Sequence, residues 1–154
     1  MRVSLSEIIL KLIETGFCRM DIKIENGNGA VQSYVVQGAT LKCSFGDQES
    51  KLQIPTDHGI YINNKLQANI LDYQPMTHIQ PFGQCGSLDN PTVKTATQAN
   101  RGRLKKQPCA PKLTMPWING KPDKLVDQQP ALTTKSTNMC MWCGRITIEA
   151  YGQE

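Results

Sequence analysis

Two stretches of this 154-residue chain repeat one another, and cysteines keep step with them. Tyr61-Ile62-Asn63-Asn64-Lys65 resembles Trp117-Ile118-Asn119-Gly120-Lys121, and Ile70-Leu71-Asp72-Tyr73-Gln74-Pro75 matches Leu125-Val126-Asp127-Gln128-Gln129-Pro130. Cys85 follows Pro75 by ten residues and Cys140 follows Pro130 by ten, while Cys43 and Cys109 precede the two copies at unequal distances. An aromatic and an Ile leading into Asn-Asn or Asn-Gly signal a tight β turn. A short β unit of this kind cannot bury a core alone, so two copies are expected to pack together, with two cysteines from each meeting between them. Chance likeness of two turn-rich segments is the alternative.

The rest of the chain fits a mainly β, single-domain protein. Its length suits one domain, but three Phe, two Trp and four Tyr make a thin core. Short β-like runs broken by Gly, Pro and Asn begin at Val31; residues 31–36, 39–43, 59–62 and 145–151 are the clearest strands. In the last of these Ile146, Ile148 and Ala150 alternate with polar residues, as one buried face requires. Residues 3–15 read as a short amphipathic helix and Asn26-Gly27-Asn28-Gly29 as a turn, so residues 1–32 form an N-terminal extension to a domain spanning 33–154. Met20 is a plausible alternative start. No run of 18 uncharged apolar residues exists, which excludes a membrane-spanning helix. No signal peptide is legible either, since Glu7 and Glu14 interrupt residues 3–13 and no small-residue cleavage site follows.

The net charge of +4 is unevenly placed. Residues 91–108 carry Lys94, Arg101, Arg103, Lys105 and Lys106 without an acid, a local +5 that leaves the remainder at −1. The segment is polar and aperiodic and reads as a linker between the two halves. It has no aromatic residue on which a base could stack, so a solvated loop is preferred to a nucleic-acid site.

The chemistry rests on the cysteines. A chain retained in a reducing compartment keeps its thiols, and several thiols around a thin core suggest a structural metal rather than disulfides. The repeat selects Cys43, Cys85, Cys109 and Cys140 as four ligands for Zn2+, with iron possible. Scattered buried cysteines acting as small apolar residues are the competing reading. Cys140-Met141-Trp142-Cys143 is a CxxC, but it runs into a strand rather than opening a helix, which disfavours thiol–disulfide catalysis. Cys143 is then a fifth thiol or a spare, and Cys18 lies outside the repeat. His58 and His78 have no flanking nucleophile or carboxylate motif and stand only as reserve metal ligands, His58 more naturally satisfying a turn. No GxSxG, P-loop, Rossmann or HExxH pattern occurs, and the chain is not expected to be an enzyme.

One set of residues resembles a known family in order: Val35 through Gly46, His58 through Asn63, Pro81-Phe82-Gly83-Gln84-Cys85, Pro108-Cys109-Ala110-Pro111, Trp117 through Pro122, Pro130 through Thr133, Ser136 through Cys140, Gly144 through Ile148, and Gly152-Gln153. The pattern looks like that of the PAAR-like proteins, long listed as a domain of unknown function, over about residues 33–153. That resemblance implies a small β cone. It would cap the blunt end of a trimeric (VgrG-like) spike in a type VI secretion system or related contractile injection particle, hold a metal near its point, and aid membrane puncture and effector delivery. It implies the spike as partner, effector proteins as passengers, transient contact with the target membrane and no nucleic acid. The implied location is the cytoplasm before firing and outside the cell, or inside a target cell, afterwards. Relatives often carry Gly where Cys143 stands, and often Cys where Phe45 stands. Two other readings remain: a zinc-stabilised module that binds nucleic acid or protein through residues 91–108, which would show steep salt dependence, and a thiol enzyme using Cys140 and Cys143.

Overall fold

Alternating burial makes the final strand. Ile146 is fully buried and Ile148 nearly so, with Arg145 and Glu149 turned outward. This strand, β10 (Arg145–Ala150), is central in a computed structural model of the protein that describes residues 33–153. It pairs antiparallel with β1 (Thr40–Cys43) and with β9 (Thr137–Met139), and β1 carries the short β2 (Ser50–Lys51) on its far edge. Leu41 and Cys43 of β1 and Ile146 and Ile148 of β10 enter one core with Val35, Leu52, Ile54, Ile79, Phe82, Trp117 and Leu132.

Three two-stranded ladders complete the β structure of the described residues: β3 (Tyr61–Ile62) with β4 (Lys65–Leu66), β5 (Gln84–Cys85) with β6 (Gln107–Pro108), and β7 (Lys121–Val126) with β8 (Gln129–Ala131). The molecule is thus mainly β, in small antiparallel sheets. The expected strand at 31–36 is not continuous: within the described part, Tyr34 bridges Thr133 and Val36 bridges Gln67 on separate neighbours. The predicted helix at 3–15 and turn at 26–29 lie outside the described residues.

The basic segment is more ordered than a linker. Residues 91–99 form a helix, α1 (Pro91–Ala99). The side chain of Asn90 accepts from the Thr92 amide and Pro91 supplies a preset first turn, a strong start signal. Only Val93 and Thr97, one turn apart, are buried, which is too little apolar periodicity to read from sequence.

The two repeat copies meet, but they do not turn alike. Ile70 N–H donates to the Pro130 carbonyl at 3.1 Å, Trp117 N–H to Ile70 at 3.0 Å and Leu132 N–H to Ala68 at 3.0 Å. In the first copy Asn63 and Asn64, at φ 51° and 62°, turn β3 into β4. In the second, Ile118 pairs with Thr137 and Lys121 with Ala131, so Asn119-Gly120 closes no hairpin. The tight turn there is Asp127-Gln128, at φ 50° and 64°, between β7 and β8.

Candidate functional site

Cys43, Cys85, Cys109 and Cys140 line a single cavity, with Phe45, Phe82, Pro111, Trp142 and Ile146 among its walls. Each arrives from a different element. Cys43 ends β1, Cys85 ends β5, Cys109 follows β6 and Cys140 follows β9. The β5–β6 pairing sets Cys85 opposite Gln107, and Cys109 N–H donates to the Gly83 carbonyl at 2.8 Å, bringing two thiols 24 residues apart onto one wall. Cys140 is fixed by a tight turn in which its amide donates to Gly144 O at 2.8 Å and Cys143 N–H returns to Cys140 O at 3.0 Å. Trp142 closes one side. Its indole donates to Ala110 O, its carbonyl accepts from Ser87 Oγ, and Lys112 Nζ lies 5.7 Å from its ring.

All four cysteines are free thiols, three of them buried. Burial pushes the Cys109 thiol up to about 11, with Cys43, Cys85 and Cys140 beside it adding to the rise and a backbone hydrogen bond at Phe82 opposing it. Burial also raises Cys43, against the amides of Phe45 and Gly46, with Cys140 and Cys85 adding. Without a cation Cys43 and Cys109 are therefore held neutral. Room for Cys43 depends on Gly144: a Cβ there would stand 2.5 Å from Cys43 Sγ and 3.6 Å from Cys140 Cβ.

The soft donor set and shared cavity suit zinc or iron. Among the described residues, however, no three His, Cys, Asp or Glu side chains already stand in an arrangement that holds an ion. Cys143 is disulfide-bonded and so is not a free thiol of the set, contrary to the expectation that disulfides would be absent. Its φ of 69° lies in the left-handed region that glycine favours. With Cys140 free, the CxxC is not a disulfide pair.

A second polar cluster escaped the sequence reading. Asp72, 1% exposed, accepts from His58 Nε2 at 2.9 and 3.0 Å, contacts His78 Nε2 at 3.4 Å, and accepts the Asn69 amide at 2.9 Å. Its own carbonyl accepts the Trp117 indole N–H at 2.9 Å. His78 Nδ1 accepts from the Gln74 amide at 3.2 Å, so its proton sits on Nε2 toward Asp72 and that nitrogen is not a bare metal donor. Burial holds the His78 pKa below the ordinary histidine value, the charge of Asp72 opposing that shift and His58 adding to it. His58 is aimed inward by a local turn, in which Asp57 accepts the Gly59 amide at 2.7 Å and Gly59 takes φ 75°. Its Nδ1 lies buried without a hydrogen bond, 3.5 Å from Asp127 Oδ2. Asp72 and Asp127 occupy matching positions in the two repeat copies, the one signal that could have exposed the cluster.

No helix among the described residues is long and apolar enough to cross a membrane. Comparison with curated proteins and with solved structures returned no match. A family model, described as domain of unknown function (DUF4280), matches residues 35–153, nearly all of the described fold and all four cavity cysteines, and the chain belongs to that family.

Proposed function

We propose that the protein is a metal-stabilised tip for the trimeric spike of a contractile injection system. The observation that carries this reading is the convergence of Cys43, Cys85, Cys109 and Cys140, from four elements, on one cavity of a small β domain. The resemblance to PAAR-like proteins supplies the rest: the spike as platform, effectors as cargo, and a location inside the cell until firing. Four thiolates closing by side-chain rotation would hold zinc, or iron, as a structural ion and tie β1, β5–β6 and β9–β10 together. The role is mechanical, without turnover. The His58–Asp72 pair fits that role, since the outer nitrogen of His58 faces the Asp127 carboxylate rather than a hydroxyl or thiol.

Co-purification with the cognate spike, followed by mass measurement of the complex, tests the proposal. One copy of this chain per spike trimer is expected. Three copies per trimer, or no association, would overturn it. Elemental analysis of the same preparation should give about one zinc or iron per chain.

A further inference from the structure

The excursion between Cys85 and Cys109 leaves the thiol cavity through the β5–β6 ladder, forms α1 and returns through residues 100–106. Arg101, Gly102, Arg103, Leu104, Lys105 and Lys106 are all exposed, so four cations surround an apolar side chain that is 53% open to solvent. The loop has a defined shape. Gly102 N–H donates to Thr97 O at 3.0 Å, Arg103 N–H to Asn100 O at 3.2 Å and Lys105 N–H to Thr97 Oγ1 at 3.1 Å, while Asn100 Nδ2 donates to Arg103 O at 3.2 Å. Arg101 and Gly102 turn the chain at φ 57° and 78°. Lys106 packs near Gly86, across the two arms of the excursion. Lys94 on α1 adds a fifth exposed cation, Leu88 near the start of the excursion is 56% exposed, and Asp89 is the one acid.

We propose that the loop at residues 101–106 is a contact site for an anionic lipid surface. Lys and Arg side chains are drawn to acidic headgroups, and an apolar side chain among them enters the headgroup–acyl boundary. A nucleic-acid site has no such use for Leu104, and residues 91–108 offer no aromatic on which a base can stack. The cations stand on a short exposed turn rather than along a groove. The proposal deepens the spike-tip reading by naming the surface that meets a membrane, and rests on that reading only for the occasion of contact.

The test is sedimentation of the full chain with vesicles of phosphatidylcholine alone, and of phosphatidylcholine mixed equally with phosphatidylglycerol. Binding is expected to the mixed vesicles and to weaken with salt. Replacing Arg101, Arg103, Lys105 and Lys106 together by Gln should weaken it by at least about a hundredfold, at roughly fivefold per cation near such a surface. Leu104→Ser should weaken it several-fold without changing its salt dependence, and Lys124→Gln, on exposed β7, should weaken it far less than the quadruple change. All these positions are exposed, so each variant is expected to fold, and circular dichroism is the check. Equal binding to neutral vesicles, or undiminished binding by the quadruple variant, would overturn the proposal. So would tighter binding to duplex DNA than to the anionic vesicles with no effect of Leu104→Ser, or displacement from vesicles by millimolar inorganic phosphate. The vesicle assay needs no spike, so its failure is distinct from a failure of co-purification.

Discussion

Replacing Asp72 by Asn keeps its size and removes its charge, and the geometry states what that costs. The Asp72 carboxylate is 1% exposed and faces three donors: His58 Nε2, His78 Nε2 and the Asn69 amide. Oδ2 serves Asn69 and one branch of His58, and Oδ1 serves His78 and the other branch. An Asn whose carbonyl replaces Oδ2 must turn its NH2 toward His78, donor against donor. The reverse orientation opposes the Asn69 amide instead. Either way one buried donor is orphaned, at about 1–3 kcal/mol, and the bonds that remain lose their charge assistance.

The expected loss is about 3–4 kcal/mol, a large share of the stability of a domain this size. At about 3–4 °C per kcal/mol, Tm should drop by about 10 °C. Asp127→Asn is the control. Its side chain is 62% exposed and 3.5 Å from His58 Nδ1, so its loss should stay within about 1 kcal/mol. Urea and thermal melts of both variants decide the matter. An Asp72→Asn protein that melts within about 2 °C of the parent would refute the view that the carboxylate is a structural hub, and equal losses at both aspartates would show that burial does not distinguish them.

Burial lowers the His78 pKa, so the folded state takes up a proton less readily than the unfolded chain. The sign follows: the His78 contribution is fully present above about pH 6.5 and is lost progressively as pH falls below it, until the folded group also protonates. His78→Gln should flatten Tm between about pH 7 and 5, measured against the parent; an unchanged profile would contradict the assignment. Cys109→Ser should take bound zinc from about one per chain to well under half by elemental analysis, with a marked loss of Tm; unchanged metal content would exclude Cys109 as a ligand. Gly144→Ala should cost about 2 kcal/mol or more and disturb Cys43, because the new Cβ meets its Sγ at 2.5 Å. Gly86→Ala, whose nearest contact would be Lys106 at 3.5 Å, should stay within about 1 kcal/mol.

How far the sequence could be read depended on whether the signal was local. The strand β10 was legible because Ile146 and Ile148 alternate with exposed neighbours over six residues, and β1 was found at nearly its observed limits. The segment at 31–36 carried the same β propensity, yet Tyr34 and Val36 bridge different partners, a matter of tertiary placement that propensity does not encode. The helix α1 was missed because three Thr and few apolar residues leave it without a periodic face, although Asn90 and Pro91 spelled its start. The repeat made two of the four cavity thiols legible, Cys85 and Cys140 at a matched step after their prolines, while Cys43 and Cys109 precede the copies at unequal distances. The Asp72 hub was not. His58 and His78 are 20 residues apart, and nothing in their flanks places both on one carboxylate.

The repeat therefore bears on more than the cysteines. Its matched aspartates lie on either side of one histidine, Asp72 inside and Asp127 at the rim, while the hairpin turns fall at unmatched positions in the two copies. What the copies share is where they place polar groups relative to one another, not how each folds locally. The same logic limits how a spike interface can be mapped. Because β10 lies between β1 and β9, and Ile146 both pairs with Cys43 and lines the thiol cavity, deleting residues 145–154 would collapse the sheet and the cavity together. Loss of binding after that deletion would report unfolding rather than a lost contact. The edge strand β2 is the informative place to perturb, since it leaves one side unpaired by a neighbouring strand of its sheet and offers the exposed Lys51, which can be altered without opening the core.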